Sequence, residues 1–345
     1  MNIAENIPLR SCNTFGINAV ARYFTSFSST DELAEGLAFA ARADAPSARP
    51  PMPTLILGGG SNILLTKDFD GLVLVNAIKG IDLVTETEHH VFVKAGAGEN
   101  WHGFVQYCLK RNWAGVENLS LIPGSVGASP MQNIGAYGVE IKEVFHELEA
   151  WDLHSGKVRM FTLNDCRFGY RDSIFKQEYR GRFVILNVTY RLSKVPKFHI
   201  EYGAIREALD EMGVRQLSIQ AISRAVVRIR QAKLPDPAQT GNAGSFFKNP
   251  VVSAEQFSAL QVESPGIVGF KNPDGAVKLA AGWLIEAAGW KGYRKGDAGC
   301  HAKQALVLVN YGQATGAEIY ALSEEILQSV KRKFGVTLER EVNII

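Results

Sequence analysis

The sequence predicts a mixed α+β protein with a boundary near residue 200. Before that position, short β-rich runs such as TLILGGGSNILL and GLVLVNAIKG are separated by clusters of glycine. After it, apolar residues recur at helical spacing, most clearly in Ala317–Phe334. The chain has 345 residues, of which 46% are hydrophobic and 21% charged, so it is long enough for two or three domains with their own cores.

The first 200 residues are predicted to be rich in strands, with two helices. The first helix is predicted over Asp31–Ala43, because Ser29 and Glu32 have the spacing of a capping box at its start. A proline-rich loop, Ala45–Pro53, follows it. Apolar residues on one face predict a second helix over Glu99–Arg111. The remaining predictions are strands in TLILGGGSNILL, GLVLVNAIKG and HVFVKAGAG, a glycine-rich loop over Ile122–Gly138, and strands over Val144–Leu153 and Phe183–Leu192.

The residues after 200 are predicted to be mainly helical. Gly335 is well placed to end the last helix, because glycine readily adopts the left-handed conformation found there. The apolar run QALVLVN has the length of a strand, and the chain ends in the strand-like VTLEREVNII. The predicted helices are Ser218–Lys233, Ser253–Gln261, Val277–Ala288 and Ala317–Phe334, and the predicted strand is Gln304–Asn310.

Charge and cysteine content exclude several classes of protein. A net charge of +2 is too small to indicate a nucleic-acid-binding protein. The four cysteines are scattered, so neither a zinc site nor a disulfide framework is expected, and we expect no bound metal. Free thiols are typical of a reducing compartment. Because there is no apolar signal segment and no apolar run of about 18 residues, we expect a cytoplasmic protein without membrane insertion.

Two glycine-rich loops are the first candidate binding elements. In LGGGSN, Leu57–Asn62, three adjacent glycines let backbone N–H groups converge on an anion such as a pyrophosphate. For GGG alone, a hairpin turn is the better interpretation. The second loop has four glycines with small residues between them, at Gly124, Gly127, Gly135 and Gly138. A surface turn needs fewer, whereas a planar ring lying against the backbone would require them. Neither loop matches the Rossmann or P-loop motif.

Eight motifs occur in an order that resembles one enzyme family. They are NTFGI (13–17), LGGGSN (57–62), AGAGENW (95–101), IPGSVGASPMQNIGAYGVE (122–140), CRFGYRDSIFK (166–176), KLPDP (233–237), GNAGSFFKNP (241–250) and LEREV (338–342). Together they resemble the UDP-N-acetylenolpyruvoylglucosamine reductase family over nearly the whole chain. The motif EYG, at 201–203, is similar to the type I branch, in which a tyrosine loop closes over the substrate.

The resemblance implies an α+β fold of the vanillyl-alcohol-oxidase type with non-covalently bound FAD. We expect one FAD-binding subdomain at residues 1–78, joined by the C-terminal strand 336–345. The second subdomain is expected at 79–200 and a substrate-binding α+β domain at 201–335. The implied reaction is the NADPH-dependent reduction of UDP-N-acetylglucosamine enolpyruvate to UDP-N-acetylmuramate in peptidoglycan precursor synthesis. The resemblance implies no nucleic acid and no obligatory protein partner.

The implied chemistry assigns three catalytic residues. Hydride from flavin N5 would add to the enolpyruvyl β-carbon, and Arg171 and Glu341 would stabilise the resulting enolate. Ser245 would deliver a proton to the α-carbon. Without the resemblance, structural roles are the better interpretation of Arg171 and Ser245, and Arg171 has the spacing for a salt bridge with Asp172 or Asp165. Ser245 is also typical of a turn, and Glu341 of a solvent-facing strand residue.

Motif position carries further expected roles over from the family. The residues expected to bind FAD are Gly58, Gly59, Gly60, Ser61, Asn62, Pro123, Gly124, Ser125, Gly127, Ala128, Asn133, Gly135, Ala136 and Arg230. The residues expected to bind the substrate are Tyr202, Lys233, Asn249, Lys291 and Gln304. Their basic and amide groups suit a UDP-sugar with two phosphates. Each lysine alone is also typical of a solvated surface.

Two other functions remain open at this level. An oxidase of the same fold would reduce oxygen, and many such oxidases attach the flavin to a histidine near the first glycine loop. No histidine lies between Gly58 and Lys67, which weakens that hypothesis. A non-catalytic nucleotide-sugar-binding protein would be expected to lack at least one of Arg171, Ser245 and Glu341, and all three are present.

Two positions depart from the pattern that the resemblance implies. Arg340 stands where close relatives are expected to have proline, and Asn343 where arginine is common. Because asparagine is uncharged, Asn343 cannot make the further charge contact near Glu341 that an arginine could make. The expected role of Glu341 itself is unaffected.

Overall fold

The computed structural model describes residues 1–42, 52–202 and 204–345, which form two compact units. Unit 1 comprises Met1–Ile7, Ala21–Gly59 and Asp70–Ala232, and unit 2 comprises Pro8–Val20, Gly60–Phe69 and Lys233–Ile345. Of the predicted loop Ala45–Pro53, only the last two residues are among those described. Ala43, the predicted end of the first helix, and Gly203, of the motif EYG, also lie outside the described residues. The division into two flavin subdomains and a substrate-binding domain stays a prediction.

Strands and helices of the described residues are named in chain order. The strands are β1 (Ala4–Pro8), β2 (Val20–Phe27), β3 (Thr54–Leu57), β4 (Ile63–Leu64), β5 (Phe69–Asn76), β6 (Ile81–Glu86), β7 (His90–Gly96), β8 (Gly135–Ala136), β9 (Val139–Glu140), β10 (Phe145–Asp152), β11 (Lys157–Thr162), β12 (Phe183–Ser193), β13 (Gly241–Ser245), β14 (Val251–Val252), β15 (Gly269–Lys271), β16 (Val277–Leu279), β17 (Arg294–Lys295), β18 (Ala298–Cys300), β19 (Val307–Asn310) and β20 (Asn343–Ile344). The helices are α1 (Thr30–Arg42), α2 (Trp101–Leu109), α3 (Leu163–Cys166), α4 (Ile205–Glu211), α5 (Ile219–Lys233), α6 (Ala254–Glu263), α7 (Ala281–Ala287) and α8 (Gly316–Phe334).

Unit 1 is built on two sheets. A four-stranded sheet has the order β1-β2-β5-β3, and a five-stranded antiparallel sheet has the order β11-β10-β12-β7-β6. Helix α2 packs on the second sheet through its apolar face. The rings of Trp101 and Phe104 on α2 lie 5.9 and 4.7 Å from that of Tyr190 on β12, and all three side chains are buried. Aromatic burial of this kind fixes the helix, and with it the glycine-rich loop that follows, on a rigid support.

Unit 2 contains smaller sheets and the longest helix. Its main sheet has the order β13-β19-β18-β17, and a three-stranded sheet has the order β14-β16-β15. Strand β20 pairs in parallel with β4, so the end of the described chain returns to the segment after the first glycine loop. Helix α8 begins with a capping box between Thr315 and Glu318 and ends at Gly335, whose φ is +64°.

Most predicted elements are present, and the mixed α+β composition is confirmed. Three predictions are wrong in part. The helix predicted over Val277–Ala288 starts only at Ala281, because residues 277–279 pair with β14 and β15 as strand β16. The strand predicted over Gln304–Asn310 covers only residues 307–310. Of VTLEREVNII, only residues 343 and 344 form a strand. Among the described residues, no helix combines the length and apolar character needed to cross a membrane.

Candidate active site

The two glycine-rich loops approach each other through their backbones in unit 1. A Cβ atom on Gly58 would lie 2.5 Å from Oγ of Ser125, and one on Gly59 would lie 3.0 Å from Cα of Gly124. At Gly59 the contact is with backbone, so a side chain there would displace Gly124, whereas at Gly58 the added atom would meet the Ser125 side chain. The exposed backbone of this cradle suits a phosphate group or a planar ring. The residues present therefore fit the FAD that the resemblance implies.

The second half of the first loop is fixed in unit 2. Gly60 has a φ of +60°, and a Cβ atom there would lie 2.0 Å from the carbonyl oxygen of Cys12. Beyond Ser61, the Asn62 side chain donates to the carbonyl of Glu341 at 3.3 Å. The Asn62 carbonyl accepts from the backbone and the side chain of Asn343, at 3.1 and 2.9 Å. The C-terminal segment thus fixes the loop that is expected to bind the pyrophosphate.

The second loop is anchored on the start of α2 and on β7. The N–H of Trp101 donates to the carbonyl of Gly124 at 3.0 Å. A Cβ atom on Gly127 would lie 2.6 Å from Cβ of Ala97, so the loop lies directly against the end of β7. Pro123 and Ala128 of this loop are exposed, whereas Ser125 is buried. Further on, Gly135 and Ala136 form strand β8, which pairs with β9.

Arg171 lies in a tight turn of unit 1 and reaches back to the second loop. Its φ is +52°, a region that few residues other than glycine and asparagine adopt. Its Nη2 donates to the carbonyl of Gly135 at 2.6 Å. A Cβ atom on Gly135 would lie 3.0 Å from Nη1 of Arg171 and 3.0 Å from Cγ of Glu140. Glycine at 135 therefore makes room for the guanidinium.

Arg230 adds a second guanidinium to the same region of unit 1. Its Nε donates to the carbonyl of Leu121 at 3.2 Å. Burial lowers the pKa of Arg230; Tyr137 opposes this effect and hydrogen-bonds the guanidinium, whereas the positive charge of Arg171 lowers the pKa further. The ring of Tyr137 packs edge-on against Tyr202 at 6.2 Å, and Tyr202 is 55% exposed. Two neighbouring guanidinium groups with a tyrosine form a cationic site suited to a carboxylate or phosphate.

Ser245 and Glu341 lie on adjacent segments of unit 2. Ser245 is the last residue of β13 and pairs with Val307 on β19. The N–H of Glu341 donates to the carbonyl of Phe246 at 2.8 Å, one residue after the serine. The two predicted catalytic residues of this unit are therefore held by one local backbone arrangement, although 96 positions of sequence separate them.

Two of the predicted substrate-binding residues meet at the first turn of α7. Oδ1 of Asn249 accepts from the N–H of Ala281 at 3.0 Å. A Cβ atom on Gly282 would lie 3.2 Å from Oε1 of Gln304. The amide of Gln304 is therefore next to Gly282, the residue after Ala281. The helix start thus fixes both amides, whose Nδ2 and Nε2 groups are donors suited to phosphate or carbonyl oxygens.

The predicted lysines are placed differently. Nζ of Lys291 pairs with Glu286 of α7 at 2.8 Å, so this lysine also lies beside α7. Lys233 is the last residue of α5 and is exposed. It is also the first residue of Lys233–Ile345, the last segment of unit 2. The structure therefore brings Asn249, Gln304 and Lys291 together around one helix and places Lys233 at a chain junction.

Two residues of this region were not singled out from the sequence. They are Tyr137, which contacts Arg230, and Glu140, whose Oε2 accepts from Asn133 at 2.9 Å. Both belong to the motif IPGSVGASPMQNIGAYGVE, so the signal was present in its polar residues. The motif was interpreted through its glycines, which left these side chains without a role.

Known proteins match this chain over most of its length. A model described as FAD binding domain matches residues 21–162. A model described as UDP-N-acetylenolpyruvoylglucosamine reductase, C-terminal domain, matches residues 236–345. The chain is 52% identical to the UDP-N-acetylenolpyruvoylglucosamine reductase of Pseudomonas syringae pv. syringae, covering 100% of this chain and 99% of that protein. It is 51% identical to the reductase of Amoebophilus asiaticus, covering 100% of both.

A solved structure has the same fold. The crystal structure of UDP-N-acetylenolpyruvylglucosamine reductase from Thermus caldophilus aligns with a TM-score of 0.68 at 24% identity, over 100% of this chain and 99% of that one. At this identity the likeness concerns the fold, and it confirms the predicted α+β FAD-binding fold class together with the domain matches. The protein is thus an FAD-dependent oxidoreductase, and it belongs to the UDP-N-acetylenolpyruvoylglucosamine reductase family.

Proposed function

We propose that this protein uses NADPH to reduce UDP-N-acetylglucosamine enolpyruvate to UDP-N-acetylmuramate, a step of peptidoglycan precursor synthesis. The observation that carries the proposal is the backbone hydrogen bond from Glu341 to Phe246, the residue after Ser245, in a chain 52% and 50% identical to two named reductases over its length. The chemistry that bound FAD would supply is the transfer of hydride from NADPH to the enolpyruvyl β-carbon.

Arg171 is proposed to stabilise the charge that hydride addition creates. Addition at the β-carbon moves electron density onto the carboxylate and forms an enolate. A guanidinium stays charged at all relevant pH values and can grip a carboxylate through two parallel hydrogen bonds. The bond from Arg171 to Gly135 fixes one edge of the group, which supports this role. Arg230 raises the local positive potential further.

Glu341 and Ser245 are proposed to complete the reaction. A carboxyl group that is protonated beside an anion donates a hydrogen bond to the enolate, which is the role of Glu341. Ser245 delivers its proton to the α-carbon and takes a proton back from solvent, while the product carboxylate re-forms. The backbone bond between Glu341 and Phe246 supports this pairing, because it ties the acid to the segment that carries the serine.

The UDP portion is proposed to bind through the amide and lysine groups. Asn249, Gln304 and Lys291 lie around α7, where they suit the diphosphate and the sugar. Lys233 adds a further cation, and the exposed Tyr202 is proposed to close over the nucleotide.

We place the reaction in the cytoplasm, where its nucleotide-linked substrate would be made and consumed. The thiol groups support this placement, because all four cysteines are free and three of them are buried. Burial raises the pKa of the Cys166 and Cys300 thiols to about 12, so both are unreactive.

The test is anaerobic flavin absorbance of the purified protein. NADPH should bleach the flavin, and UDP-N-acetylglucosamine enolpyruvate should then restore its absorbance in full. If only oxygen restores the absorbance, the protein is an oxidase. If NADPH causes no bleaching, the proposal is wrong and a nucleotide-sugar-binding protein becomes the better interpretation.

The Ser245→Ala variant is expected to separate the two half-reactions. NADPH should bleach its flavin at the wild-type rate, because the hydroxyl takes no part in that step. Recovery with the enolpyruvyl substrate should slow by about 100-fold or more, since one positioned proton donor contributes roughly 10²–10⁴-fold. Ser258→Ala, which alters an exposed serine on α6, is the matched control and should behave as wild type. Recovery at the wild-type rate in Ser245→Ala would remove the serine from the mechanism.

A further inference from the structure

The side chain of Asn133 is committed to contacts inside unit 1. The residue is 0% exposed and has a φ of +46°. Its Nδ2 donates to Oε2 of Glu140 and to the carbonyl of Gly169, each at 2.9 Å, and its Oδ1 accepts from the N–H of Lys142 at 3.1 Å. Both donor hydrogens are therefore used. A fully bonded buried amide holds its partners in one arrangement, and contact with FAD is left to the backbone of this residue.

Gly169, one of these partners, opens the turn that carries Arg171. The turn is closed by two backbone bonds between Gly169 and Asp172, at 3.0 and 3.3 Å. The Gly169 carbonyl thus accepts both from the turn itself and from Asn133. A second tie follows directly, because Oγ of Ser173 donates to the carbonyl of Met131 at 2.6 Å.

The same loop also holds the far end of the arginine side chain. The guanidinium of Arg171 donates to Gly135, two residues after Asn133. Residues 131–135 therefore fix the backbone of Arg171 at one end and its guanidinium at the other. An arginine side chain has four rotatable bonds, so fixing both ends sets where the charge lies.

We infer that Asn133 is a positioning residue for Arg171: its amide locks the turn at Gly169 and sets the guanidinium in place for the enolate. The inference rests on the proposed function, because it assigns Arg171 the role of stabilising charge on the substrate. It predicts a defect confined to the step in which that charge develops.

Two variants probe the amide, with one control. Asn133→Ala removes all three hydrogen bonds. Asn133→Asp keeps the shape and the acceptor for Lys142, but at neutral pH it places a second carboxylate beside Glu140 and the Gly169 carbonyl. Asn76→Ala is the control, because Asn76 also lies in unit 1, donates to Ile185 at 2.8 Å and accepts from Ile78 at 3.1 Å.

For Asn133→Ala, with both rates taken per bound FAD, we expect NADPH to bleach the flavin at the wild-type rate. Recovery of absorbance with the enolpyruvyl substrate should slow by about 10- to 100-fold at saturating substrate, the scale expected for a misplaced charged group. Hydrogen exchange at the amides of Gly169 and Asp172 should become faster. In Asn76→Ala neither the recovery rate nor exchange at this turn should change.

Asn133→Asp provides a signature in its pH profile. The charged groups around the site are Glu140, Lys142, which pairs with Glu140 at 2.7 Å, and Arg171. Burial and the Glu140 carboxylate favour protonation of the new acid, whose hydroxyl then donates to Gly169 or Glu140. The recovery rate relative to wild type should therefore rise as the pH falls from about 8 towards about 5.5. A general loss of stability would not produce this profile.

The outcomes separate this inference from the proposed function. If the substrate fails to restore flavin absorbance in the wild-type protein, the proposed function is wrong, and exchange at Gly169 and Asp172 still decides whether Asn133 locks the turn. If the wild type turns over and Asn133→Ala recovers as fast, the positioning role is overturned, whatever the exchange shows. Equal slowing of both half-reactions would also overturn it, as would a flat pH profile for Asn133→Asp.

Discussion

Arg340 departs from the expected proline without disturbing the residue next to it. Arg340 forms a β-bridge with Phe247, and the adjacent hydrogen bond runs from the N–H of Glu341 to Phe246. That bond does not use the N–H of Arg340, so a proline at this position would leave it intact. The backbone geometry that places the predicted acid Glu341 is therefore independent of the side chain before it.

The side chain of Arg340 has a separate, stabilising role. It donates to Ser323 at 2.9 Å and to Glu324 at 2.7 Å and lies 4.5 Å from the ring centre of Tyr320, all on α8. Arg340→Pro should therefore lower the free energy of unfolding by about 1–2 kcal/mol. It should leave recovery of flavin absorbance with the substrate at the wild-type rate. Urea denaturation together with the two half-reactions checks this, and slow recovery would contradict the independence of Glu341 from position 340.

At the scale of elements, the first glycine loop is fixed by close backbone contact as well as by hydrogen bonds. Gly60 combines a φ of +60° with a Cβ position 2.0 Å from the carbonyl of Cys12. Asn343, which stands where the resemblance leads us to expect arginine, donates to the Asn62 carbonyl of the same loop. Its short, uncharged side chain thus ties the C-terminal segment to the loop.

Gly60→Ala is expected to abolish FAD binding. The methyl group adds backbone strain and also displaces the carbonyl of Cys12, which distorts the loop expected to contact the pyrophosphate. Gly296→Ala is a matched control, because Gly296 lies in the same unit with a φ of +61° and nothing within 4 Å of its Cβ position. That variant should lose about 1–2 kcal/mol from strain alone and keep its FAD. Flavin absorbance of the purified variants measures their FAD content. Equal FAD content in both variants would show that the close contact with Cys12 is not needed for FAD binding.

How far the elements could be predicted depended on whether their signal was local. Capping residues and apolar periodicity predicted α1, α2, α5 and α8 closely. They failed at Val277–Leu279, because a short apolar run before a helix has no period of its own and only pairing with β14 and β15 makes it a strand. The motifs located Arg171 and Ser245, but no local pattern could predict that Asn133 bonds Gly169, 36 positions away.

At the scale of the whole molecule, a buried carboxyl group makes the free energy of unfolding depend on pH. Glu117 is 1% exposed, and its carboxylate accepts from the N–H of Gly115 at 2.6 Å. Burial raises the pKa of Glu117 above its ordinary value of 4.5, against the opposing effects of backbone hydrogen bonds and of His199. Glu117 therefore binds a proton more tightly in the folded protein than in the unfolded chain, so its contribution to stability falls as the pH rises through the interval above 4.5.

Glu117→Gln is expected to remove this dependence, because glutamine keeps an acceptor for Gly115 and carries no charge. Below pH 4.5 the variant and the wild type should differ little, since the glutamate is protonated in both states. As the pH rises, the Tm of the variant should exceed that of the wild type by a growing margin, which levels off above the pKa of the folded protein. Thermal denaturation at a series of pH values measures this margin, and a margin that shrinks with pH would show that the carboxylate is better stabilised when folded.

The tie between the first glycine loop and the C-terminal segment also constrains when the protein can be completed. Asn62 and its partner Glu341 are 279 positions apart. At about 5–20 residues per second, residue 341 leaves the ribosome roughly 14–56 s after residue 62. The last residue of unit 1, Ala232, emerges well before residue 341, so that unit can fold during translation while residues 60–69 still lack their partners. We therefore expect FAD to load at this loop only after residue 341 has emerged, because until then the loop lacks the contacts that fix it.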